Sequence, residues 1–396
     1  MNTAEGKWMI QGVRAVIGDA EVEDAAVVIA NGKIAEILVG GERPQADGAT
    51  VIDGGGGWLL PGFIDMHVHG GFGSDFMDAS KEAYDAITSF HAAHGTTRML
   101  ATTVTAPPEA IEAVLGASAA YRRNPMPFAS LEGVHLEGPF ISELWPGAQN
   151  PGYISPPRLD WVQAWNDAYP GTIKQLTLAP EKEGAADVIA YLAANGIVAA
   201  AGHTDALYAQ VEAAVEAGLS QAVHTFNAMR ALHHREPGTV GAVLGDNRIH
   251  AELIADGHHV HPAAIRLLVQ AKPRDRVILI TDAMSAAGLG DGRYDLGGLD
   301  VDVAAGVARL REGGSLAGST LTMIDAVRYV LEHTSLGVAE VSRMASANPA
   351  RQLGLRDVTG TIAVGLAADL VLADASFSGV SHTWVQGRLV HHAKQD

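Results

Sequence analysis

The stretch WLLPGFIDMHVH, residues 58–69, is the first of eight apolar, β-rich segments in the middle of the chain. The other seven are TRMLATTV (97–104), LEGVHLEG (131–138), IKQLTLAP (173–180), GIVAAAGHT (196–204), QAVHTFNAM (221–229), HAELIAD (250–256) and RVILITDAM (276–284). Most of them are separated by amphipathic stretches of helical period, such as residues 80–95 and 204–218. Eight strand–helix units predict an α/β fold, a (β/α)8 TIM barrel with its active site at the C-terminal ends of the strands.

Residues at the expected helix ends support this alternation. Gly95, Gly196 and Gly218 stand where C-caps belong, and Ser80 and Asp205 stand near expected N-caps. An open doubly wound sheet is the alternative fold, but no GxGxxG turn follows the first segment. The barrel is therefore the favoured prediction.

The two ends of the chain have a different pattern. Near the N-terminus, two apolar runs within residues 27–40 are joined by Asn31-Gly32, a strong hairpin signal, and residues 382–392 repeat the pattern around Gln386-Gly387. Because chain termini often lie close together, both ends are expected to form one small β-sandwich domain from residues 1–58 and 357–396. Residues 59–356 are expected to form the catalytic barrel.

Composition limits the possible partners and metals. The 396 residues include no cysteine, so a metal would have to be held by histidines and carboxylates. A net charge of −18 argues against nucleic acid and anionic membranes as partners. The N-terminus MNTAEGKWMIQGVR lacks signal-peptide features, and no run of 18 apolar residues suggests a membrane span. These features predict a cytoplasmic protein.

Six side chains that can bind metal stand at the ends of five predicted strands. They are His67 and His69 in the first segment, Glu137 in the third, His203 in the fifth, His224 in the sixth and Asp282 in the eighth. Each alone is better explained by packing or a buried ion pair. Together they match the layout of a catalytic barrel site.

Histidine and carboxylate ligands suit a divalent metal such as zinc, iron, manganese or cobalt. A metal site of this kind supports hydrolysis of an amide or an ester. Asp282 can take a proton from the attacking water and pass it to a leaving amine.

The motifs around these residues resemble one family. In order, they are PGFIDMHVHG, HLEGPF, AGHTDA, HTFNAM, REPG, ADGHHV, TDAM and LAGSTLTM. The chain resembles the N-acetylglucosamine-6-phosphate deacetylases of the amidohydrolase superfamily over nearly its whole length. The resemblance implies hydrolysis of the N-acetyl group of an amino-sugar 6-phosphate, a step of amino-sugar breakdown, with one or two divalent ions per chain.

The resemblance also implies roles for single residues. Glu137, His203 and His224 match the metal site found throughout the family, His67 and His69 match the pair that holds a second metal in some members, and Asp282 matches the catalytic acid/base. The residues that match substrate contacts are Asn227, Ala228, His259, Leu316, Ala317, Gly318 and Ser319. Arg235 matches an arginine that binds the 6-phosphate from the neighbouring subunit of a homodimer.

Two residues distinguish this chain from other members. Lys174 is the only lysine of the fourth segment and stands at its beginning. Many other members of the superfamily bridge two metals with a carboxylated lysine at the end of strand four. That bridge is not expected here, so the bridging carboxylate must come from Glu137, which weighs against dihydroorotase-like and hydantoinase-like functions. Gln149 stands where many deacetylases carry a histidine that polarises the acetyl carbonyl, and its amide donates only a neutral hydrogen bond.

Three other functions are compatible with parts of this pattern. Deacetylation of N-acetylgalactosamine 6-phosphate uses the same chemistry and differs at one hydroxyl. An amidohydrolase of N-acylated amino acids would need a carboxylate site in place of a phosphate site at Arg235. A catalytically inactive scaffold would be expected to have lost Asp282 or a ligand, and all six residues are present.

Overall fold

The computed structural model describes residues 6–42 and 48–393. The strands are β1 Trp8–Ile17, β2 Ala20–Ala30, β3 Lys33–Leu38, β4 Thr50–Asp53, β5 Trp58–Pro61, β6 Phe63–Asp65, β7 Gly70–Gly71, β8 Ser74–Asp75, β9 Thr96–Thr102, β10 Ser130–Glu137, β11 Ile173–Leu178, β12 Val198–Ala201, β13 Gln221–Ala222, β14 His250–Ile254, β15 Val277–Ile280, β16 Gly292–Leu296, β17 Leu299–Ala304, β18 Val307–Leu310, β19 Leu370–Ala373, β20 Val380–Val385 and β21 Arg388–His392. The α-helices are α1 Lys81–Ala93, α2 Pro108–Arg122, α3 Leu159–Ala168, α4 Ala185–Ala194, α5 Tyr208–Glu216, α6 Gly238–Gly245, α7 Pro262–Ala271, α8 Met323–His333, α9 Val338–Ala345 and α10 Ala347–Gln352.

Within the described ranges, none of the helices has the length and the apolar composition that a membrane span requires.

Eight parallel strands form the barrel. They pair in the order β6, β9, β10, β11, β12, β13, β14 and β15, and each is followed by one of the helices α1 to α8. The last strand meets the first just beyond their ends, where the Asp282 amide donates to the His67 carbonyl at 2.8 Å. The predicted (β/α)8 fold is confirmed.

Side chains alternate across the barrel wall as a pleated strand requires. In β11, Leu176 and Leu178 pack in the main hydrophobic core. Gln175 and Thr177, between and beside them, instead make hydrogen bonds to Glu252 and His135. The interior therefore contains a buried polar layer, which bears on the site above it.

Most predicted helix ends are confirmed. The Ser80 hydroxyl accepts a hydrogen bond from the Ala83 amide, and Gly95, Gly196 and Gly218 follow helices in the left-handed region. The prediction for Asp205 was wrong, because α5 begins at Tyr208. The Asp205 carboxylate accepts from the Trp145 indole and the Arg230 guanidinium instead, and these donors lie far from it in sequence.

The two chain ends share one sheet in the order β21, β20, β19, β5, β1, β2 and β3, with β4 also paired to β1. Asn31-Gly32 and Gln386-Gly387 form the predicted tight turns, all four residues having positive φ. A separate hydrophobic core fills the predicted β-sandwich, including Ile10, Ile29, Leu59, Leu370 and Trp384.

The limits of the small domain, residues 1–58 and 357–396, stay a prediction. Residues 1–5, 43–47 and 394–396 of it lie outside the described residues. Strand β5 pairs with β1 and β19, and Gly62 then connects it to barrel strand β6. We therefore place the junction at Gly62.

A buried ion pair connects the two parts. Arg98 of β9 donates through Nε to Asp369 Oδ2 at 2.7 Å, and also binds Glu132 of β10. Asp369, which is 2% exposed, further accepts from Thr359 Oγ1 and the Gln386 amide, both at 2.7 Å. The carboxylate thus joins the barrel wall to the small domain.

An antiparallel sheet of β16, β17 and β18 follows barrel strand β15 and was not anticipated from the sequence. Its inner side packs with Met284 and Ala317 in a third hydrophobic cluster. This insertion places Leu296 and Leu316 beside the mouth of the barrel.

Candidate active site

The predicted ligands leave their strands at sharp turns. Glu137 is the last residue of β10, whereas His203, His224 and Asp282 each follow their strand by two residues. Their φ angles are 48°, 29° and 52°, in the left-handed region that side chains with a Cβ rarely adopt. Such strain, about 1–3 kcal/mol each, is concentrated at functional sites because the surrounding structure must hold it.

Glu137 lies at the centre of four histidines. Its Oε1 lies 3.2 Å from His67 Nε2, 3.2 Å from His203 Nε2 and 3.1 Å from His224 Nε2, and its Oε2 lies 3.3 Å from His69 Nε2. Burial alone would raise the pKa of this carboxyl, but His67, His203 and His224 lower it well below its usual range. Glu137 is therefore ionised and shared by all four rings.

Asp282 completes the cluster. Its Oδ1 lies 3.2 Å from His69 Nε2 and 3.5 Å from His67 Nε2. Burial would raise the pKa of Asp282, yet the two histidines lower it below the ordinary value. For His69, burial lowers the pKa, but hydrogen bonds to Asp282 and Glu137 raise it to about 10. The structure thus brings all six predicted residues together.

This set of donors fits a divalent metal. Two groups have ligand atoms within 4.8 Å of one another: His67, Glu137 and His224, and His67, His69 and Asp282. The Nε2 atoms of His203 and His224 also face each other at 3.2 Å around the same Glu137 oxygen. Imidazole nitrogens and carboxylate oxygens converging on one buried volume are the donor set of a zinc-type site.

Several residues that hold the histidines of the site were missed by sequence reasoning. Glu252, fully buried in β14, accepts from His67 Nδ1 at 3.0 Å. The backbone carbonyl of Trp145 accepts from His203 Nδ1 at 2.9 Å. Asp256 accepts from His259 Nδ1 at 2.6 Å. For Glu252 there was a signal, since it is the one charged residue within the apolar strand HAELI.

A cavity of about 420 Å³ opens above the cluster. Six of the predicted substrate contacts line it, together with His69, Glu137, His203, His224 and Asp282: Gln149, Asn227, Ala228, His259, Leu316 and Gly318. Leu144, Trp145 and Pro146 of the long loop after β10 also line it. The loop between Glu137, the end of β10, and Leu159, the start of α3, is long for a barrel, and such length is typical of loops that cover a site.

Three predicted contacts lie outside this lining. Ala317 is fully buried in the hydrophobic cluster under the insertion. Ser319 donates through Oγ to the Thr281 carbonyl at 2.6 Å, and its amide donates to the Asp282 carbonyl at 2.7 Å. Arg235 is exposed, and its guanidinium contacts His234 Nε2 at 2.8 Å. Within one chain, therefore, Arg235 does not contribute to the cavity.

Gln149 is only 5% exposed and is held at both ends of its amide. Its Nε2 donates to Glu137 Oε2 at 2.5 Å, and its Oε1 accepts from the Thr105 amide at 2.6 Å. The side chain thus binds the central carboxylate directly from the cavity wall. Its second amide hydrogen is the neutral donor that it can offer to a ligand.

The chain is similar to known proteins over most of its length. The Amidohydrolase family matches residues 58–151 and 162–390. The chain belongs to the amidohydrolase family. This amidohydrolase is 40% identical to N-acetylglucosamine-6-phosphate deacetylase of Vibrio furnissii, over 96% of this chain and 94% of that one. It is also 43% identical to N-acetylgalactosamine-6-phosphate deacetylase of Escherichia coli O157:H7, over 84% of this chain and 87% of that one.

A solved structure is similar to this amidohydrolase throughout. It is a mutant N-acetyl-D-glucosamine-6-phosphate deacetylase from Mycobacterium smegmatis in complex with N-acetyl-D-glucosamine-6-phosphate. The TM-score is 0.92 at 37% identity, covering 97% of this chain and 99% of that chain. The similarity includes the small domain as well as the barrel.

Proposed function

We propose that this amidohydrolase removes the N-acetyl group of N-acetylglucosamine 6-phosphate, giving glucosamine 6-phosphate and acetate. The observation that carries the proposal is the buried cluster of four histidines with Glu137 and Asp282 at the floor of a cavity. The relatives of the same length support the choice of substrate. Zinc is the first candidate metal, with iron, manganese and cobalt as alternatives.

Glu137, His203 and His224 would hold one ion, and His67 and His69 with Asp282 would hold a second where two are bound. When bound, a divalent ion here supplies the Lewis acidity that activates water and polarises a carbonyl. Glu137 faces both groups through its two oxygens, so it is the residue that would bridge them.

Asp282 moves the proton in this scheme. Because its pKa is lowered, the carboxylate is ionised at neutral pH and can accept a proton. It takes the proton of the attacking water as the water oxygen bonds to the acetyl carbon. It then donates that proton to the sugar nitrogen as the C–N bond breaks, which gives the free amine and acetic acid, and the acid loses its remaining proton to water as acetate.

The remaining lining residues would position the sugar. Asp256 accepts from His259 Nδ1, which leaves Nε2 as the free ring atom for a sugar hydroxyl. The Gln149 amide and Asn227 would face the acetyl group and the ring. Leu316 and Gly318 close the cavity on the side of the insertion.

None of the described residues that line the cavity is an arginine, so within one chain the phosphate would have no arginine partner. We infer that Arg235, exposed beside His233 and His234, binds the phosphate in the neighbouring site of a homodimer. A planar guanidinium suits two phosphate oxygens at once. We also propose a cytoplasmic location.

N-acetylgalactosamine 6-phosphate is the second candidate substrate, because one relative at 43% identity carries that name. Turnover should be measured on both sugar phosphates, on both sugars without phosphate, and on an N-acetylated amino acid. We expect the highest kcat/KM for N-acetylglucosamine 6-phosphate and a large loss without the phosphate. Preference for the galactosamine isomer would change the substrate, and preference for the amino acid would refute the proposal.

A further inference from the structure

Beneath the metal cluster lies a carboxylate that the proposed reaction does not use. We propose that Glu252 is a positioning residue that sets the ring orientation and tautomer of His67, and so the affinity of the cluster for metal. This inference rests on the proposed metal site. It concerns what orients the His67 ring and selects the nitrogen that binds the metal, which the proposed function leaves open.

The tautomer follows from the hydrogen bond. Glu252 Oε2 lies 3.0 Å from His67 Nδ1, and both side chains are fully buried. The carboxylate oxygen accepts this hydrogen bond, so Nδ1 carries the hydrogen. In that tautomer the lone pair that can bind a metal is on Nε2, which lies 3.2 Å from Glu137 Oε1 and 3.5 Å from Asp282 Oδ1.

Two neutral amides hold Glu252 in place. Its Oε1 accepts from Gln175 Nε2 at 2.9 Å and from Gln221 Nε2 at 2.5 Å. Gln221 Nε2 also lies 2.8 Å from Gln175 Oε1, which connects the two amides. A buried carboxylate is costly unless it is hydrogen-bonded, and here strands β11, β13 and β14 each contribute to its network. The network thus satisfies the carboxylate with two neutral amides in addition to His67 Nδ1.

The ring of His67 has little freedom to turn. His135 packs edge-on against it, with ring centroids 4.6 Å apart and planes at 87°. His135 is itself fixed, since its Nε2 lies 2.7 Å from Thr177 Oγ1. Packing and the hydrogen bond to Glu252 therefore restrict the same ring.

The support of His67 differs from that of His203. A backbone carbonyl accepts from His203 Nδ1, whereas a carboxylate accepts from His67 Nδ1. A carboxylate makes the opposite ring nitrogen a stronger donor to a metal than a neutral carbonyl does. Because His67 belongs to both candidate ligand groups, Glu252 acts on the cluster as a whole.

The test is metal binding by the full chain with Glu252→Gln. Glutamine keeps the size but removes the charge, and its amide nitrogen would face either His67 or the glutamine donors. Zinc binding is measured over a range of free zinc concentrations that a chelator buffers. We expect Glu252→Gln to bind zinc about 10- to 100-fold more weakly than the wild type does. Glu252→Asp keeps the charge, and its zinc affinity should lie between those of the wild type and Glu252→Gln. Glu183→Gln, the same change at an exposed position, is the control and should bind zinc like the wild type.

A second measurement needs no variant at Glu252. Nitrogen NMR of the histidine rings in the zinc-loaded wild type should show His67 with a protonated, slowly exchanging Nδ1, assigned by the loss of that signal in His67→Gln. Protonation at Nε2, or unchanged zinc affinity in Glu252→Gln, would overturn this inference and would leave the proposed metal site unaffected. A wild type that binds no divalent metal would overturn the proposed metal site, and this inference with it.

Discussion

Asp282 Oδ1 lies 3.2 Å from His69 Nε2, so the candidate acid/base is in direct contact with a candidate ligand. The contact lowers the pKa of Asp282 against the opposing effect of burial. The carboxylate is thereby kept as a base in a buried place where an isolated carboxyl would be neutral.

Asp282→Asn should lower kcat by at least about 10²-fold, because the amide keeps the shape but cannot accept the proton. Substrate binding, measured by calorimetry, should persist. Asp187→Asn, on the exposed side of α4, is the matched control and should leave kcat unchanged. Near-normal turnover of Asp282→Asn would assign the proton transfer to another group.

Removal of metal should abolish activity. The six ligands bind metal only when deprotonated, so a strong chelator should inactivate the protein and added zinc or another divalent ion should restore it. Metal analysis of the active protein should give one or two ions per chain. Full activity in a preparation shown to contain no metal would end the metal hypothesis.

Arg235→Ala should reduce kcat/KM for the phosphorylated sugar by about 2–4 kcal/mol, the usual cost of truncating one partner of a charged pair. The loss should be small for unphosphorylated N-acetylglucosamine. Arg293→Ala, whose side chain is 82% exposed on the insertion, is the control. Equal losses on both sugars would indicate a structural role for Arg235.

Mixing Arg235→Ala chains with Asp282→Asn chains tests whether Arg235 acts across a dimer. In a mixed dimer, one site has an intact Asp282 and receives an intact arginine from its neighbour. Activity should therefore rise above that of either variant alone. No gain, under conditions in which mixed dimers are shown to form, would place Arg235 in its own site or outside the site.

Asp369→Asn should destabilise the protein by about 3–5 kcal/mol, because it leaves the charge of Arg98 buried without its main partner. Urea unfolding measures the change. Asp357→Asn, whose side chain is 92% exposed, is a nearby control that removes the same charge. A loss below about 1 kcal/mol would show that the pair contributes little to joining the barrel and the small domain.

His91 should make stability depend on pH. Burial lowers the pKa of His91 from 6.5 to about 4, against a hydrogen bond to the Gly70 carbonyl that raises it. The unfolded chain therefore binds more protons between these values, so stability is full above about pH 6.5 and falls as the pH approaches 4. Over this pH range the free energy of unfolding falls by up to about 3 kcal/mol because of His91.

His91→Gln should remove that part of the pH dependence in urea unfolding between pH 4 and 7. His258→Gln, at an exposed position, is the control. A pH dependence identical in wild type and His91→Gln would refute the assignment.

Much of the site was predictable because a parallel barrel brings its strand ends together. Once eight strands are identified, His67, Glu137, His224 and Asp282 must meet at one end, whatever the details of packing. The residues that were missed act through contacts that depend on those details. Glu252 reaches His67 across the barrel interior, which no local pattern near His67 encodes.

The wrong prediction for Asp205 and the missed sheet of β16 to β18 also result from contacts that depend on the details of packing. Asp205 has the composition of an N-cap, but an arginine and a tryptophan distant in sequence supply stronger partners. The sheet of β16 to β18 is stabilised by packing against Met284 and Ala317, and it does not continue the strand–helix repeat of the barrel. Local sequence signals therefore predicted the barrel better than the contacts of Asp205 and the inserted sheet.

The sharing of one sheet by both chain ends also governs how the protein can be made. Leu59 of β5 pairs with Leu372 of β19, more than 300 residues later in the chain. A nascent chain leaving the ribosome must therefore carry β1 to β5 with an unpaired edge and an open apolar face until the last strands emerge. During that interval the edge could pair with another chain, and a holding chaperone would protect it. Synthesis of β19 to β21 is therefore required before this sheet can be completed.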